Sequence, residues 1–453
     1  MKLFSRVGLT LAVLGSLLAV PFAQVERGAP LARKGALGAQ LAPATADEAK
    51  AAGKTSAVKI AAVLPGLTAE KAKLQAGDVL LTIAGQAVSS AAEVGPIISQ
   101  QTSGKPIKFE VFRAGQKAVL EANLADRPRQ KEDGFKVIYD QVVSKGKRIR
   151  MIITHPEGKG PFPTLFLIGG IGAYSVDGDF GSIAYGNVIG PIAKAGFATV
   201  RIDKPGQGDS EGPVYTELLF DDELDAYIQA VRLAKTIPVI DSNKIAIWGH
   251  SMGGCFGPLL AAQEKIAGLS VNGTVGKTWV EYHAENTRRQ ALLSGATPSQ
   301  VDQEMRAQTA ISHFIFNESL SPAEVIAQHP KWASVIKDNF PDGKTYSGVG
   351  IAFFQQLAKK NLMEAWEKAD TKVLVTYGEN DFLAGRADHE FIVDSVNAVR
   401  PGTAEFKLLT NSDHGFFETT SQKDSLTRWR MGGKKFNPSI VTTLEEWLKK
   451  ILA

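Results

Sequence analysis

The chain has one cysteine, Cys255, in 453 residues, so neither a disulfide framework nor a lipid-modified N-terminal cysteine is available to it. It also lacks an excess of either charge. Lys and Arg total 51 against 47 Asp and Glu, a formal net charge of +4 spread along the chain, which argues against nucleic acid as a partner. The uncharged run from Val7 to Val20 is too short to span a bilayer comfortably. No two histidines combine i, i+4 spacing with a nearby carboxylate, so no catalytic metal is expected, and no cofactor is called for. What remains is stabilisation by packing, and 44% hydrophobic residues supply material for a sizeable core.

Lys2 and Arg6 flank the apolar run on one side and Pro21-Phe22-Ala23 on the other, the layout of a signal peptide over residues 1–23. Pro21 sits awkwardly at the −3 position, and an uncleaved anchor is the alternative. The expectation is a periplasmic or secreted protein of a bacterial envelope, with no stable membrane span once the signal is removed.

Hydrophobic periodicity divides the remainder. Residues from about 35 to 126 read as short strands with two short helices, and Ala125-Asp-Arg-Pro-Arg-Gln-Lys-Glu-Asp-Gly134 breaks the pattern, marking residues 127–134 as a linker. From Phe135 to the end of the chain, apolar strands such as Thr164-Leu-Phe-Leu-Ile168 and Ala198-Thr-Val-Arg-Ile202 alternate with helical stretches such as Glu217 to Thr236. That alternation implies an α/β fold with a mostly parallel sheet covered on both faces. A charged linker without apolar surface implies that the two parts are separable.

The first part, through Gly35-Ala-Leu-Gly38, Val58-Lys-Ile-Ala-Ala-Val-Leu-Pro65 and Leu74-Gln-Ala-Gly-Asp-Val-Leu-Leu-Thr-Ile-Ala-Gly85, resembles the PDZ domains attached to bacterial envelope serine proteases. It departs from them at Lys73, where glycine is usual, and at Ala84, where Asn or Asp is more common. The resemblance implies a small β-rich α+β domain that adds a partner's C-terminal tail to a sheet edge. The carboxylate would meet the backbone of Leu37, Gly38 and Ala39, and Val94 and Ile98 would line an apolar pocket. The alternative is a domain whose residues serve packing alone.

In the second part, Gly249-His250-Ser251-Met252-Gly253 follows the apolar Lys244-Ile-Ala-Ile-Trp248, a strand, sharp turn and helix start that lifts a serine hydroxyl beside a base and amide donors. Lys372-Val-Leu-Val-Thr-Tyr377 leads to Asp381, and Glu405-Phe-Lys-Leu-Leu409 leads to His414. Ser, Asp and His in that order resemble the α/β-hydrolase fold over residues 135–453. The resemblance implies that Ser251 attacks a carbonyl, His414 moves the proton and Asp381 orients the imidazole. Glu379 and Asp413 compete for the acid's place, while His250 and Cys255 are assigned to packing. Oxyanion donors are expected at the Met252 amide and within Gly169-Gly170-Ile171-Gly172, at Gly170 or Ile171, with the Tyr174 hydroxyl as an alternative. Asp203-Lys-Pro-Gly-Gln-Gly-Asp-Ser-Glu-Gly212 resembles a structural loop of these enzymes.

A long insert, about residues 275–366, reads as a helical cap, and its aromatics Trp279, Tyr282, Phe314, Phe316, Trp332, Phe353 and Phe354 suggest an apolar pocket or simple packing. The combined expectation is an exported serine hydrolase acting on a small-molecule carboxylic ester or thioester, with a PDZ groove for a protein tail. A serine peptidase of aminopeptidase type is the alternative enzyme, and a non-catalytic binding protein is the alternative class.

Overall fold

The computed structural model describes residues 25–177, 183–429, 431 and 433–452. The segment read as a signal peptide lies outside them, and among the described residues no helix is long and apolar enough to cross a membrane.

Residues 35–126 form an antiparallel sheet in the order Ala39–Pro43, Val58–Val63, Val79–Ile83, Pro106–Arg113, Gln116–Asn123, with Ala39–Pro43 at an open edge. Helix Ala91–Ser99 turns Val94, Ile97 and Ile98 into a core shared with Leu37, Ile60 and Phe109. A two-residue ribbon, Gly35–Ala36 against Ala125–Asp126, brings the two ends of this domain together.

The second part is built on one eight-stranded sheet. Numbered within that sheet, its strands are β1 (Phe135–Ser144), β2 (Lys147–Pro156), β3 (Phe162–Ile168), β4 (Ala198–Ile202), β5 (Ile240–His250), β6 (Gly268–Asn272), β7 (Lys372–Gly378) and β8 (Ala404–Leu409). Their spatial order is β8-β7-β6-β5-β3-β4-β2-β1. β1 and β2 pair antiparallel, as do β2 and β4, and all other neighbours are parallel. β4 and β6 are buried at every residue because both faces of the sheet are covered. On β3, Phe166 and Ile168 enter one core and Leu165 and Leu167 the other. The first core takes helices Phe220–Ala234 and Gly253–Ala261, and the second takes Ser439–Leu452, whose Ile440, Leu444 and Leu448 recur at helical spacing.

Between β6 and β7 lie the helices of the insert. Three of them, Trp279–Leu293, Pro298–Ser312 and Pro322–Gln328, start with reciprocal capping boxes from Thr278 to Glu281, Thr297 to Gln300 and Ser321 to Glu324. Each box satisfies two amides that the short helices would otherwise leave bare. Trp279, Phe316 and Phe354 are buried against one another, Trp279 stacked on Phe354 at 4.8 Å, so these rings pack the insert onto the sheet.

The segments that flank residues 35–126 are tied to the second part by buried charge and hydrogen bonds. Arg33 reaches Asp177 at 2.7 Å and Asp209 at 2.5 Å, with its side chain only 9% exposed and both carboxylates fully buried. Arg33 also donates to the carbonyls of Arg127 and Pro128, and the Lys34 amide donates to Asp209 Oδ1. Further along, the Gln130 amide donates to the Tyr139 hydroxyl, and Gln130 Oε1 accepts from buried Arg201. Upstream, the Glu26 carbonyl accepts from the Val143 amide on β1. The charged segment that reads as a free linker is therefore in part a strap across the sheet edge, and separability does not follow from its composition.

Candidate active site

Ser251 stands directly after β5, at φ 55°, in the left-handed region that costs a non-glycine residue energy. Its amide donates to the Asn272 carbonyl at 2.8 Å, which locks the turn to the end of β6. A Cβ on Gly249 would lie 2.5 Å from the Gly253 carbonyl oxygen, and one on Gly253 would lie 2.0 Å from that of Ile168. The two glycines of the motif are thus required by the crossing of strand, turn and helix.

The acid and the imidazole come from the loops after β7 and β8. His414 Nδ1 lies 2.7 Å from Asp381 Oδ2, and both side chains are buried. Asp381 Oδ1 accepts the Leu383 and Ala384 amides, each at 2.8 Å. Burial opposes ionisation of Asp381, but His414 and the Ala384 amide outweigh it and hold its pKa below the ordinary value. Burial likewise pulls His414 down, and Asp381, helped by Asp413, more than reverses it, so its pKa is raised. Glu379 is exposed and accepts the Asn411 amide, while Asp413 accepts the amides of Gly415 and Phe417. Asp381 is the carboxylate hydrogen-bonded to His414.

Opposite this pair runs the segment after β3. A Cβ on Gly170 would lie 3.0 Å from Ser251 Cβ, so this backbone passes directly over the serine. The Gly170 amide donates to the Tyr185 hydroxyl at 2.7 Å and the Gly172 amide to the Tyr215 hydroxyl at 2.6 Å. Tyr174 donates its hydroxyl to the Gly170 carbonyl. Among the described residues, the amides of Ile171 and Met252 donate to no protein acceptor. Of the candidate donors, Gly170 and Tyr174 are committed elsewhere and Ile171 and Met252 are available.

His250 joins the two sides. Its Nε2 lies 2.8 Å from the His414 carbonyl oxygen and its Nδ1 2.7 Å from the Tyr185 hydroxyl. A carbonyl only accepts, so Nε2 carries the proton and Nδ1 accepts from Tyr185, whose oxygen accepts from Gly170. Burial, with His414 adding to it, lowers the His250 pKa to about 3, which keeps it neutral for this relay. Cys255 is buried, and burial pushes its thiol up to about 12, so it is inert. Tyr185, Tyr215 and His250's partners carry no local spacing signal and escape a reading of the sequence.

In the N-terminal domain, Leu37, Gly38 and Ala39 lead into the open-edge strand, and the Leu37 and Gly38 amides donate to no acceptor among the described residues. Val94 and Ile98 are buried, packed in the same core as Leu37.

A family model described as serine aminopeptidase, S33, matches residues 181–418, just over half of the chain. The chain belongs to that family. A PDZ domain model matches residues 35–124. This α/β hydrolase is also similar to a probable periplasmic serine endoprotease DegP-like protein of Marinomonas sp., 31% identical over 17% of this chain and 16% of that one. It is 37% identical to a probable periplasmic serine protease do/HhoA-like protein of Haemophilus influenzae, over 21% of this chain and 19% of that one. The chain spans under a fifth of each of these curated relatives. Among solved structures it is similar to Est1E from Butyrivibrio proteoclasticus with ferulic acid bound, at 15% identity and a TM-score of 0.45, over 69% of this chain and 98% of that one.

Proposed function

We propose that the protein is an exported serine hydrolase that cleaves a carboxylic ester or thioester through Ser251, His414 and Asp381. The observations that carry the reading are a serine held in a strained turn with the Gly170 backbone close over it, a buried carboxylate bonded to an imidazole, and the uncommitted amides of Ile171 and Met252. His414 Nε2, the ring nitrogen not held by Asp381, takes the proton from Ser251 Oγ as the oxygen attacks the carbonyl carbon. The oxyanion that forms is met by the Ile171 and Met252 amides. Return of the proton to the alcohol or thiol expels it and leaves an acyl-enzyme, which water cleaves by the same route in reverse order. The open edge of Ala39–Pro43 and the free amides of Leu37 and Gly38 support a role for the PDZ domain in holding a protein C-terminal tail.

The family description favours a second reading, a peptidase, in which the tail held by the PDZ domain is a substrate. A panel of p-nitrophenyl esters beside aminoacyl and dipeptidyl anilides, run on purified mature protein, ranks the two. Turnover of esters supports the first reading, and turnover of anilides without esters reverses it. A fluorophosphonate probe should label the protein, and Ser251→Ala should abolish the label. Labelling that survives the substitution, or no turnover and no label in the unaltered protein, rejects the serine mechanism.

A further inference from the structure

Lys204 is the second residue of the loop after β4, and it is 1% exposed. Its Nζ donates to the Gly170 carbonyl, lies 3.4 Å from the Gly172 carbonyl oxygen, and pairs with Glu223 Oε1 at 3.3 Å. The rings of Tyr174 and Tyr215 flank it at 4.8 and 5.4 Å. Glu223 is equally buried, accepts from Tyr227, and leaves Oε2 without a partner among the described residues. Burying an ion pair costs several kcal/mol per ion in desolvation, and an apolar pair of the same volume often stabilises a fold as well or better. Packing alone gives no reason for a lysine here.

The bond that Lys204 makes supplies one. The Gly170 carbonyl and the Ile171 amide belong to a single peptide unit, and that unit is trans. In a planar trans peptide the C=O and N–H vectors point in opposite directions. Drawing the Gly170 oxygen inward to Lys204 and Tyr174 therefore turns the Ile171 N–H outward, on the segment that crosses over Ser251. A cation on the carbonyl also polarises the unit and strengthens its N–H as a donor.

We propose that Lys204 is a positioning residue for catalysis, which aims and polarises the Ile171 amide as an oxyanion donor, with Glu223 as its buried counter-ion. This rests on the serine hydrolase reading above. Its role is confined to the transition state, because the developing negative charge is what the amide meets. Loss of Lys204 should therefore appear in kcat and in the affinity for an oxyanion mimic, and leave KM nearly unchanged.

The test uses the full chain and a p-nitrophenyl ester that it turns over. Lys204→Met alone strands Glu223, so it is paired with Glu223→Gln. The double variant should fold, lower kcat by about 10- to 100-fold with KM within about twofold, and weaken a trifluoromethyl ketone by the same factor as kcat. Lys204→Gln with Glu223→Gln, which keeps a hydrogen-bond donor but removes both charges, should fall between the double variant and the unaltered protein. Should the methionine variant fail to fold, this second pair reads the same two quantities. Retention of kcat and of ketone affinity by a folded variant overturns the proposal, as does a loss confined to KM. Ser251→Ala in parallel separates the failures. If it retains turnover, the reading of the site is wrong; if it abolishes turnover while the Lys204 variants stay active, only this inference is.

Discussion

The two flanks of Ser251 are held by different means. On the side of the proposed acid and base, the carboxylates are fixed chiefly from within their own loops, Asp381 by amides two and three residues on and Asp413 by amides two and four residues on, with Gln422 and His250 reaching only the carbonyls of Asp381 and His414 from outside. On the side of the proposed oxyanion donors, residues 170–177 are held by side chains from remote segments. Tyr185, Tyr215 and Lys204 grip the backbone, Asp203 holds Ser175 and the Val176 amide, and Arg33 pairs with Asp177. A locally closed loop keeps its shape when distant parts of the chain are altered. A loop held from a distance inherits every weakness of its supports.

The largest expected effect tests the closed flank. Asp381→Asn should lower kcat by on the order of 10³-fold or more, because the amide cannot stabilise the imidazolium or select its tautomer. Glu379→Gln, on an exposed side chain that caps the Asn411 amide, should leave kcat unchanged. Steady-state kinetics on the same ester decide it, and the reverse pattern would place the acid at Glu379.

This contrast also sets what was legible in the sequence. The closed flank was readable because its motifs are sequence-local: the carboxylate follows the buried strand β7, the imidazole follows β8, whose last residue Leu409 is buried, and the elbow motif itself carries the glycines that the crossing with its own helix start and with the end of β3 requires. The two-layer coverage of the sheet was readable for the same reason, from uninterrupted apolar runs such as Thr164 to Ile168. The oxyanion flank was not. That Tyr185 claims the Gly170 amide depends on a helix fifteen residues on, and that Arg33 neutralises Asp177 depends on a pairing across the sheet edge. A charged run such as Arg127 to Glu132 looks like a solvated linker until its partners are in place.

The second prediction strains the supported flank from outside. Arg33→Met leaves Asp177 with the Tyr139 hydroxyl as its remaining side-chain hydrogen bond, and should cost about 3 kcal/mol of stability. A chain beginning at Phe135 loses Arg33, Lys34 and Gln130 together, so it should unfold at a lower temperature than Arg33→Met and lose activity even on small esters. Thermal unfolding and ester turnover of both proteins check this. A truncated chain of full stability and full activity would show that the strap is incidental.

A smaller effect is expected at the relay between the flanks. Tyr185→Phe deprives the Gly170 amide of its acceptor and His250 Nδ1 of its donor at once, and should lower kcat about tenfold with little change in KM. Phe at this place keeps the ring against Trp248, so the fold should survive. A normal kcat would mean that Lys204 and Tyr174 alone suffice to hold Gly170.

The smallest effect is a displacement along the pH axis. The proposed mechanism needs His414 neutral, so kcat/KM should fall as pH is lowered through its pKa. Burial acts against protonation, while Asp381 and Asp413 act for it and prevail, so the pKa is raised. The acid limb should therefore lie above the ordinary imidazole value of about 6.5. His250 and His389, lowered by burial to about 3 and about 4, stay neutral across this range and add no second limb. The same shift carries a stability term of known sign. A raised folded-state pKa stabilises the fold fully below the unfolded-state value, and that contribution is lost as pH rises through the folded-state value. Asp381→Asn removes the main upward influence and leaves burial unopposed except by Asp413, so its residual activity should show the acid limb displaced to lower pH. Tyr185→Phe, acting on the other flank, should leave the limb where it is. If both variants move it equally, the two flanks are not independent and the division between them fails.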